Sequence, residues 1–378
     1  MNLVREIRKE KNITQEQLAG AADISRRYLG LLEQQKAEPS VFVAMRIAEA
    51  LEVDLYKVFI DERETQVKAT LPKKLRFIDL FCGIGGFRYA SKQAFDALGI
   101  GGECVFSSDI DKYAQEAYKA NFGEMPVGDI TKVDEKSIPD FDLLFGGFPC
   151  QAFSICGLMK GFEDNTRGTL FFDIARILKE KRPQAFVLEN VKNLASHDNG
   201  KTLQVILSVL RDELGYHVDW HLLNALDFGL PQKRERILIV GSKKPFVMDW
   251  YFNIGKKKTL DDILEKEVDR KYYASPAIVE KRKAMHTSKY YPSIWHENKA
   301  GNISSYPFSC ALRAGASYNY LLVNGERRLT PREMLRLQGF PDSFEIVVSD
   351  CQARKQAGNA IPVDMVAEVI RRFLPIAF

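Results

Sequence analysis

The chain has 378 residues, 46% of them hydrophobic and 28% charged, with a formal net charge of +4. That length accommodates two or three domains with a sizeable core. Its apolar stretches are too short or too broken by charge for a membrane span or a cleavable leader, so a cytoplasmic protein is expected. Six scattered cysteines, without a CxxC pair or a nearby histidine cluster, lack the spacing of a disulfide framework or a metal site; no metal is expected.

Residues 3–59 predict an all-helical unit, with apolar residues at helical spacing over Leu3 to Glu10, Thr14 to Ala21, Ser25 to Gln34 and Val41 to Leu51. Thr14, Ser25 and Ser40 stand where a side-chain oxygen can accept from the free N–H groups of a helix start. The runs Thr14-Gln15-Glu16-Gln17-Leu18-Ala19 and Asp23-Ile24-Ser25-Arg26-Arg27-Tyr28-Leu29 resemble the helix-turn-helix family of phage-repressor type. The resemblance implies that Ser25, Arg26, Arg27 and Tyr28 open a recognition helix that reaches base edges or phosphates of promoter DNA. It also implies a homodimer that reads paired half-sites. A four-helix packing module is the other reading, since residues 1–70 carry 11 Lys and Arg against 12 Asp and Glu and are not basic.

Residues 61–74 read as a linker between this domain, 1–60, and a second one. From Leu75 the pattern alternates. Strands are predicted over Arg76 to Phe81, Glu103 to Ser108, Asp142 to Phe145 and Ala185 to Leu188. Helices are predicted over Lys112 to Asn121, Leu170 to Lys181 and Thr202 to Leu214. Such alternation predicts an α/β fold, a doubly wound and mostly parallel Rossmann-like sheet whose ligands sit at the C-terminal strand ends. Residues 242–325 lose the alternation and read as a smaller lobe, and 326–378 return to the catalytic body. Residues 232–290 hold 15 Lys and Arg against 8 Asp and Glu, a phosphate-binding surface or a solvated basic face.

Asp79-Leu80-Phe81-Cys82-Gly83-Ile84-Gly85-Gly86 lies at a strand-to-turn boundary, where glycines let the backbone approach a ligand. Asp109 ends the next strand, where a carboxylate can bind ribose hydroxyls, and Asp129 ends a third such segment, so three strand ends could grip one nucleoside cofactor. Pro149-Cys150-Gln151 follows a strand. A thiolate is strongly nucleophilic even when only a few per cent is ionised, roughly, near neutral pH, although an isolated cysteine is more often a buried structural one. Glu189-Asn190-Val191 and Gln232-Lys233-Arg234-Glu235-Arg236 then bring a carboxyl and two guanidiniums to the same sheet edge, where Glu189 and Arg236 could also form a structural ion pair.

Taken in order, these pieces, together with Arg332-Glu333, Gly339-Phe340-Pro341 and Gln356-Ala357-Gly358-Asn359, closely resemble the cytosine-5 DNA methyltransferases over residues 75–241 and 326–378. The resemblance implies S-adenosyl-L-methionine as cofactor, bound through Phe81, Gly83, Gly85, Asp109, Ile110, Asp129, Leu170 and Asn359. It implies Cys150 as the nucleophile on cytosine C6, Glu189 as the proton donor to N3, and Arg234 and Arg236 as holders of the base. It further implies a double-stranded DNA substrate with a flipped cytosine, closed over by a loop in which Ser154 touches phosphate. The variable lobe 242–325 corresponds to a target-recognition region; there Arg313, with Gly315, Tyr318 and Tyr320, forms a base-reading or structural cluster. An RNA cytosine-5 methyltransferase and a DNA-binding regulator with an inactive methylase body are the competing readings, and a modification enzyme paired with a restriction nuclease is the preferred one.

Overall fold

The computed structural model describes residues 2–37, 39–53, 58, 71–149, 170–255 and 257–378. It divides into two units, Met1–Thr70 and Leu71–Phe378.

In the first unit, α1 (Val4–Glu10), α2 (Gln15–Ala21), α3 (Arg26–Glu33) and α4 (Val41–Ala50) surround a core that includes Val4, Ile7, Leu18, Leu29, Leu32, Ile47 and Leu51. The expected caps are formed. Thr14 accepts from Gln17 N at 3.2 Å while the Gln17 side chain accepts from Thr14 N at 2.8 Å, and Ser25 and Ser40 accept from Tyr28 N and Val43 N. Each such cap is worth about 1 kcal/mol. At the end of α3, Glu33 joins the unit together, 2.5 Å from Arg8 Nε and accepting from Gln15 at 2.7 Å. Arg26 and Arg27 face outward from the start of α3.

The second unit contains β1 (Lys74–Leu80), α5 (Gly86–Leu98), β2 (Gly101–Ser108), α6 (Lys112–Phe122), β3 (Leu143–Gly147), α7 (Leu170–Lys181), β4 (Ala185–Val191), α8 (Lys201–Ser208), β5 (His217–Asn224), β6 (Gln232–Lys233) and β7 (Glu235–Ser242). Further along come α9 (Pro276–Met285), β8 (Ile294–Glu297), β9 (Ile303–Tyr306), β10 (Ser309–Cys310), β11 (Leu321–Val323), α10 (Pro331–Leu337), α11 (Asp350–Asn359) and α12 (Val363–Ala377). The main sheet runs β2-β1-β3-β4-β7-β5. β1 to β4 are mutually parallel, and β7 runs antiparallel to both β4 and β5.

Because successive strand side chains point to opposite faces, the sheet separates its apolar residues by parity. Phe77, Phe145, Val187, Leu238 and Val240 are buried on the face packed with α5 and α12; Ile78, Leu80, Leu144, Leu188 and Ile239 are buried on the face packed with α7 and α8. Burying each of these side chains contributes about 1.5–3 kcal/mol. β1 pairs with β2 on one side and β3 on the other, so the strand order reverses there and leaves a crevice beyond the carboxyl ends.

Three expectations change in detail. The predicted helix over Thr202 to Leu214 is α8 followed by a π-helical turn, Val209–Glu213. Asp129 does not end a sheet strand: it caps the short helix Ile130–Lys132, two residues after Val127 makes an isolated parallel bridge to Ser108. The segment 242–325, expected as a separate lobe, shares one continuous core with the catalytic body: Met248, Leu260, Ile294, Leu312 and Leu321 belong to the same buried cluster as Phe77 and Val187. Of the expected linker, 61–70 lies outside the described residues and Lys74 already opens β1. Among the described residues, no helix is long and apolar enough to cross a membrane.

Candidate active site

The crevice at the β1/β3 switch is a cleft of about 470 Å³. Its wall begins where β1 ends. Phe81 holds a φ of 56°, an uncommon left-handed value for an aromatic residue, and Gly83 follows at 54°. This doubled reversal is fixed from behind by Cys82 N donating to Ser108 O at 3.0 Å, and from the side by Asp109. The Asp109 carboxylate accepts from Gly83 N and from Asp111 N, each at 2.8 Å. Burial raises the Asp109 carboxyl above its usual range, and the two backbone N–H groups oppose that shift. Asp109 therefore locks the turn as well as facing the cleft.

Of the residues expected to hold the cofactor, Phe81, Gly83, Asp109, Ile110, Asp129, Leu170 and Asn359 all line this cleft. Ile110 leaves 75% of its surface exposed at the lip, an apolar plate beside two carboxylates. Hydrogen bonds from the Thr131 hydroxyl and N–H hold Asp129 below the usual carboxylate range, so it stays an acceptor. Gly85 is not among the lining residues. It caps α5 at φ 83°, and an added Cβ there would meet the Phe122 ring at 2.1 Å, so its place is explained by packing. Lys355, which sequence reasoning did not single out, reaches from α11 to Asp111 at 2.6 Å and joins the two sides of the cleft.

On the β4 side, register brings the expected charged residues together. Glu189 pairs across the sheet with Leu238, and Val191 with Arg236, so Glu189 and Arg236 are diagonal neighbours on one face. Arg236 Nε lies 2.8 Å from Glu189 Oε1. Burial pushes the Glu189 carboxyl above its usual range despite the opposing charges of Arg236 and Arg234. Gly147 stands opposite Glu189 on β3, and the carboxylate comes within 3.5 Å of where a Gly147 Cβ would be. Asn190 donates to Phe148 O at 2.8 Å, tying the end of β4 to the strand that leads into residue 150. Gly147, Phe148 and Pro149 line the cleft. Cys150, Gln151, Ser154 and Cys156 lie outside the described residues.

Arg234 departs from the expected role. It is 1% exposed and absent from the cleft lining; its Nη1 donates to Leu312 O at 3.0 Å, and its Nη2 to Gly358 O at 3.0 Å and Ala360 O at 2.6 Å. Burial lowers its pKa to about 9. Gln232 continues the same clamp, accepting from Leu312 N and donating to Leu337 O, while Gln338 donates to Ala357 O. The Gln232–Arg236 run thus serves two purposes, Arg236 facing Glu189 and Arg234 binding distant backbone segments.

A Gly-rich turn, two carboxylates and an acid–guanidinium pair meet at the switch point of this sheet, the place where α/β folds of this class bind ligands. Residues 75–374 match the C-5 cytosine-specific DNA methylase family, and residues 4–58 match a helix-turn-helix family. The chain belongs to the C-5 cytosine-specific DNA methylases and carries an N-terminal helix-turn-helix domain. It is 53% identical over 304 residues to the Type II methyltransferase M.NgoBI of Neisseria gonorrhoeae, covering 80% of this chain and 93% of that protein. It is 41% identical over 387 residues to the Type II methyltransferase M1.ScrFI of Lactococcus lactis subsp. cremoris, covering 99% and 95%, an alignment that takes in the N-terminal unit. Among solved structures, the S. pombe Dnmt2 methyltransferase is similar in fold, with a TM-score of 0.60 at 23% identity, covering 79% of this chain and 98% of that one.

Proposed function

We propose that this DNA cytosine-5 methyltransferase acts on a flipped cytosine through a covalent adduct at Cys150, as the modification enzyme of a type II restriction–modification system. The observation that carries this reading is the buried Glu189–Arg236 pair, 2.8 Å apart, on the wall of the cleft that Phe81, Asp109, Asp129 and Asn359 also line. S-adenosyl-L-methionine, when bound, supplies an electrophilic methyl group. The residues present fit it: Asp109 and Asp129 accept from hydroxyl and amine donors, Phe81 and Ile110 offer apolar surface to a base, and Gly83 leaves open space where a Cβ would stand.

Cytosine C5 is too weak a nucleophile until C6 is attacked. The Cys150 thiolate adds to C6 and electron density moves toward N3, where Glu189, whose hold on a proton burial strengthens, donates one; Arg236 holds the carboxylate that results. Carbon 5 then takes the methyl group and gives its own proton to a solvent base; the C6–S bond breaks to release the thiolate, and the N3 proton returns to Glu189. Bringing the base into the cleft costs about a few kcal/mol of unstacking. Arg234 acts as a positioning residue.

Duplex DNA is held by the region 242–325 with Arg313 among its contacts, and Ser154 touches phosphate. In the N-terminal unit, Ser25, Arg26, Arg27 and Tyr28 bind the enzyme's own promoter, with the chain dimerising across paired half-sites. Labelled methyl transfer to duplex DNA but not to transfer RNA is expected; transfer to RNA alone would replace the proposed substrate.

A further inference from the structure

A stack of alternating guanidiniums and phenol rings stands beside the cleft. Arg313 lies over Tyr320 with its guanidinium carbon 4.8 Å from the ring centre; Arg354 lies 5.9 Å from the same ring and 4.5 Å from Tyr318; Arg328 lies 5.7 Å from Tyr318. The stack is braced. Arg313 N donates to the Tyr320 hydroxyl at 3.0 Å, Arg354 donates to Ala316 O and Ser317 O, and Arg328 donates to Tyr272 O and Lys271 O.

Its charge is uncompensated. Among the described residues, none of Arg313, Arg328 and Arg354 forms an ion pair with a carboxylate. Asp350, whose field reaches Arg328, is bonded to Lys271 at 3.1 Å and to the Tyr272 hydroxyl at 2.7 Å. Three guanidiniums gathered without a carboxylate bonded to any of them repel one another, and the rings and carbonyls between them hold them in place. Tyr318 is 53% exposed and Arg313 is exposed, so the stack opens to solvent. It also adjoins the cleft wall: a Cβ on Gly358, which lines the cleft, would fall 2.3 Å from Ala314 N and 2.7 Å from Arg313 C.

We infer that Arg313, Arg328 and Arg354, fixed in line by Tyr318 and Tyr320, form a rail for the backbone phosphates of duplex DNA beside the target cytosine. The inference rests on the DNA methyltransferase reading above and assigns the rail to sequence-independent holding, with base reading left to other residues. Rings that pin the guanidiniums spare the ordering cost of binding phosphate with free side chains.

The test is the salt dependence of duplex DNA affinity for the full chain and for R313Q, R328Q and R354Q, measured with cognate and unrelated duplexes. Each released phosphate contact lowers the slope of log affinity against log salt by about 0.9. Each glutamine variant should show that loss, weaken both duplexes by the same factor, and keep wild-type S-adenosylhomocysteine affinity at a temperature where it stays folded. R354K, which keeps the charge and loses the planar stack, should keep the slope. An unchanged slope in the glutamine variants, a loss confined to the cognate duplex, or an equal loss in R354K would overturn the rail. So would tighter wild-type binding of duplex RNA than of duplex DNA. Failure of the underlying reading looks different: wild-type protein would then transfer no methyl group to duplex DNA at all.

Discussion

Glu189 and Arg236, on adjacent antiparallel strands and 2.8 Å apart, form a buried pair in which the carboxyl still holds its proton more tightly than an ordinary glutamate. Desolvation favours the neutral acid and the guanidinium favours the carboxylate; burial is the larger effect. An acid poised in this way can protonate cytosine N3 and then be stabilised as its anion by the neighbour already in place.

Glu189→Gln should therefore lower the single-turnover rate of methyl transfer by about 10²–10⁴-fold, the range typical of general acid catalysis. Wild-type rates should also fall as rising pH removes the Glu189 proton, at a pH above the ordinary carboxylate range. The glutamine variant, which has no such proton, should lack that limb in a pH–rate profile.

Arg234 and Arg236 should separate by readout. Arg234→Ala leaves the carbonyls of Leu312, Gly358 and Ala360 without their shared donor, which is expected to cost about 3–5 kcal/mol of stability in urea unfolding. Arg236→Ala should lose methyl transfer with a smaller stability loss. Equal loss of stability in both would remove the distinction.

Asp79 supplies a pH test of the fold. Its carboxyl group is fully buried beneath the Gly-rich turn with neither oxygen hydrogen-bonded among the described residues, and burial raises its pKa well above the usual value. A folded-state pKa raised above the unfolded one means that the unfolded chain binds fewer protons. The Asp79 contribution to stability is thus greatest below about pH 4, where an unfolded aspartate is protonated, and declines as pH rises toward the folded value. Asp79→Asn should flatten this decline in urea midpoints taken between pH 5 and pH 8; an unchanged slope would show that Asp79 is not its source.

How much could be read from the chain follows from the range of each interaction. Caps at Thr14, Ser25 and Ser40, and the turn after β1, are local consequences of residue type, so the sequence places them directly. Strand parity likewise puts Glu189 and Arg236 on one face once the strands are found. Arg234 is different: its partners lie 78, 124 and 126 residues away, and a guanidinium meeting three carbonyls has no local signature beside one meeting a substrate. The same distance in sequence hides the continuity of the 242–325 segment with the catalytic core, and the Arg–Tyr stack drawn from 313–328 and 354.

For the N-terminal unit, replacing both Arg26 and Arg27 by Ala in the full chain should abolish a specific electrophoretic shift of the gene's own promoter and leave methyl transfer unchanged. Both side chains project outward from the start of α3, apart from the buried Arg8–Glu33 pair that supports the fold. A retained shift would remove Arg26 and Arg27 from the contact, and no specific shift by the wild-type chain would make the unit a packing module.

The covalent step at Cys150 is tested most directly with duplex DNA carrying 5-fluorocytosine at the methylated position, whose C5 fluorine cannot leave as a proton. In the presence of S-adenosyl-L-methionine, the wild-type protein should form a complex with this DNA that survives denaturation, and Cys150→Ala should form none. A denaturation-resistant complex with Cys150→Ala, or undiminished methyl transfer by it to ordinary duplex DNA, would contradict the assignment.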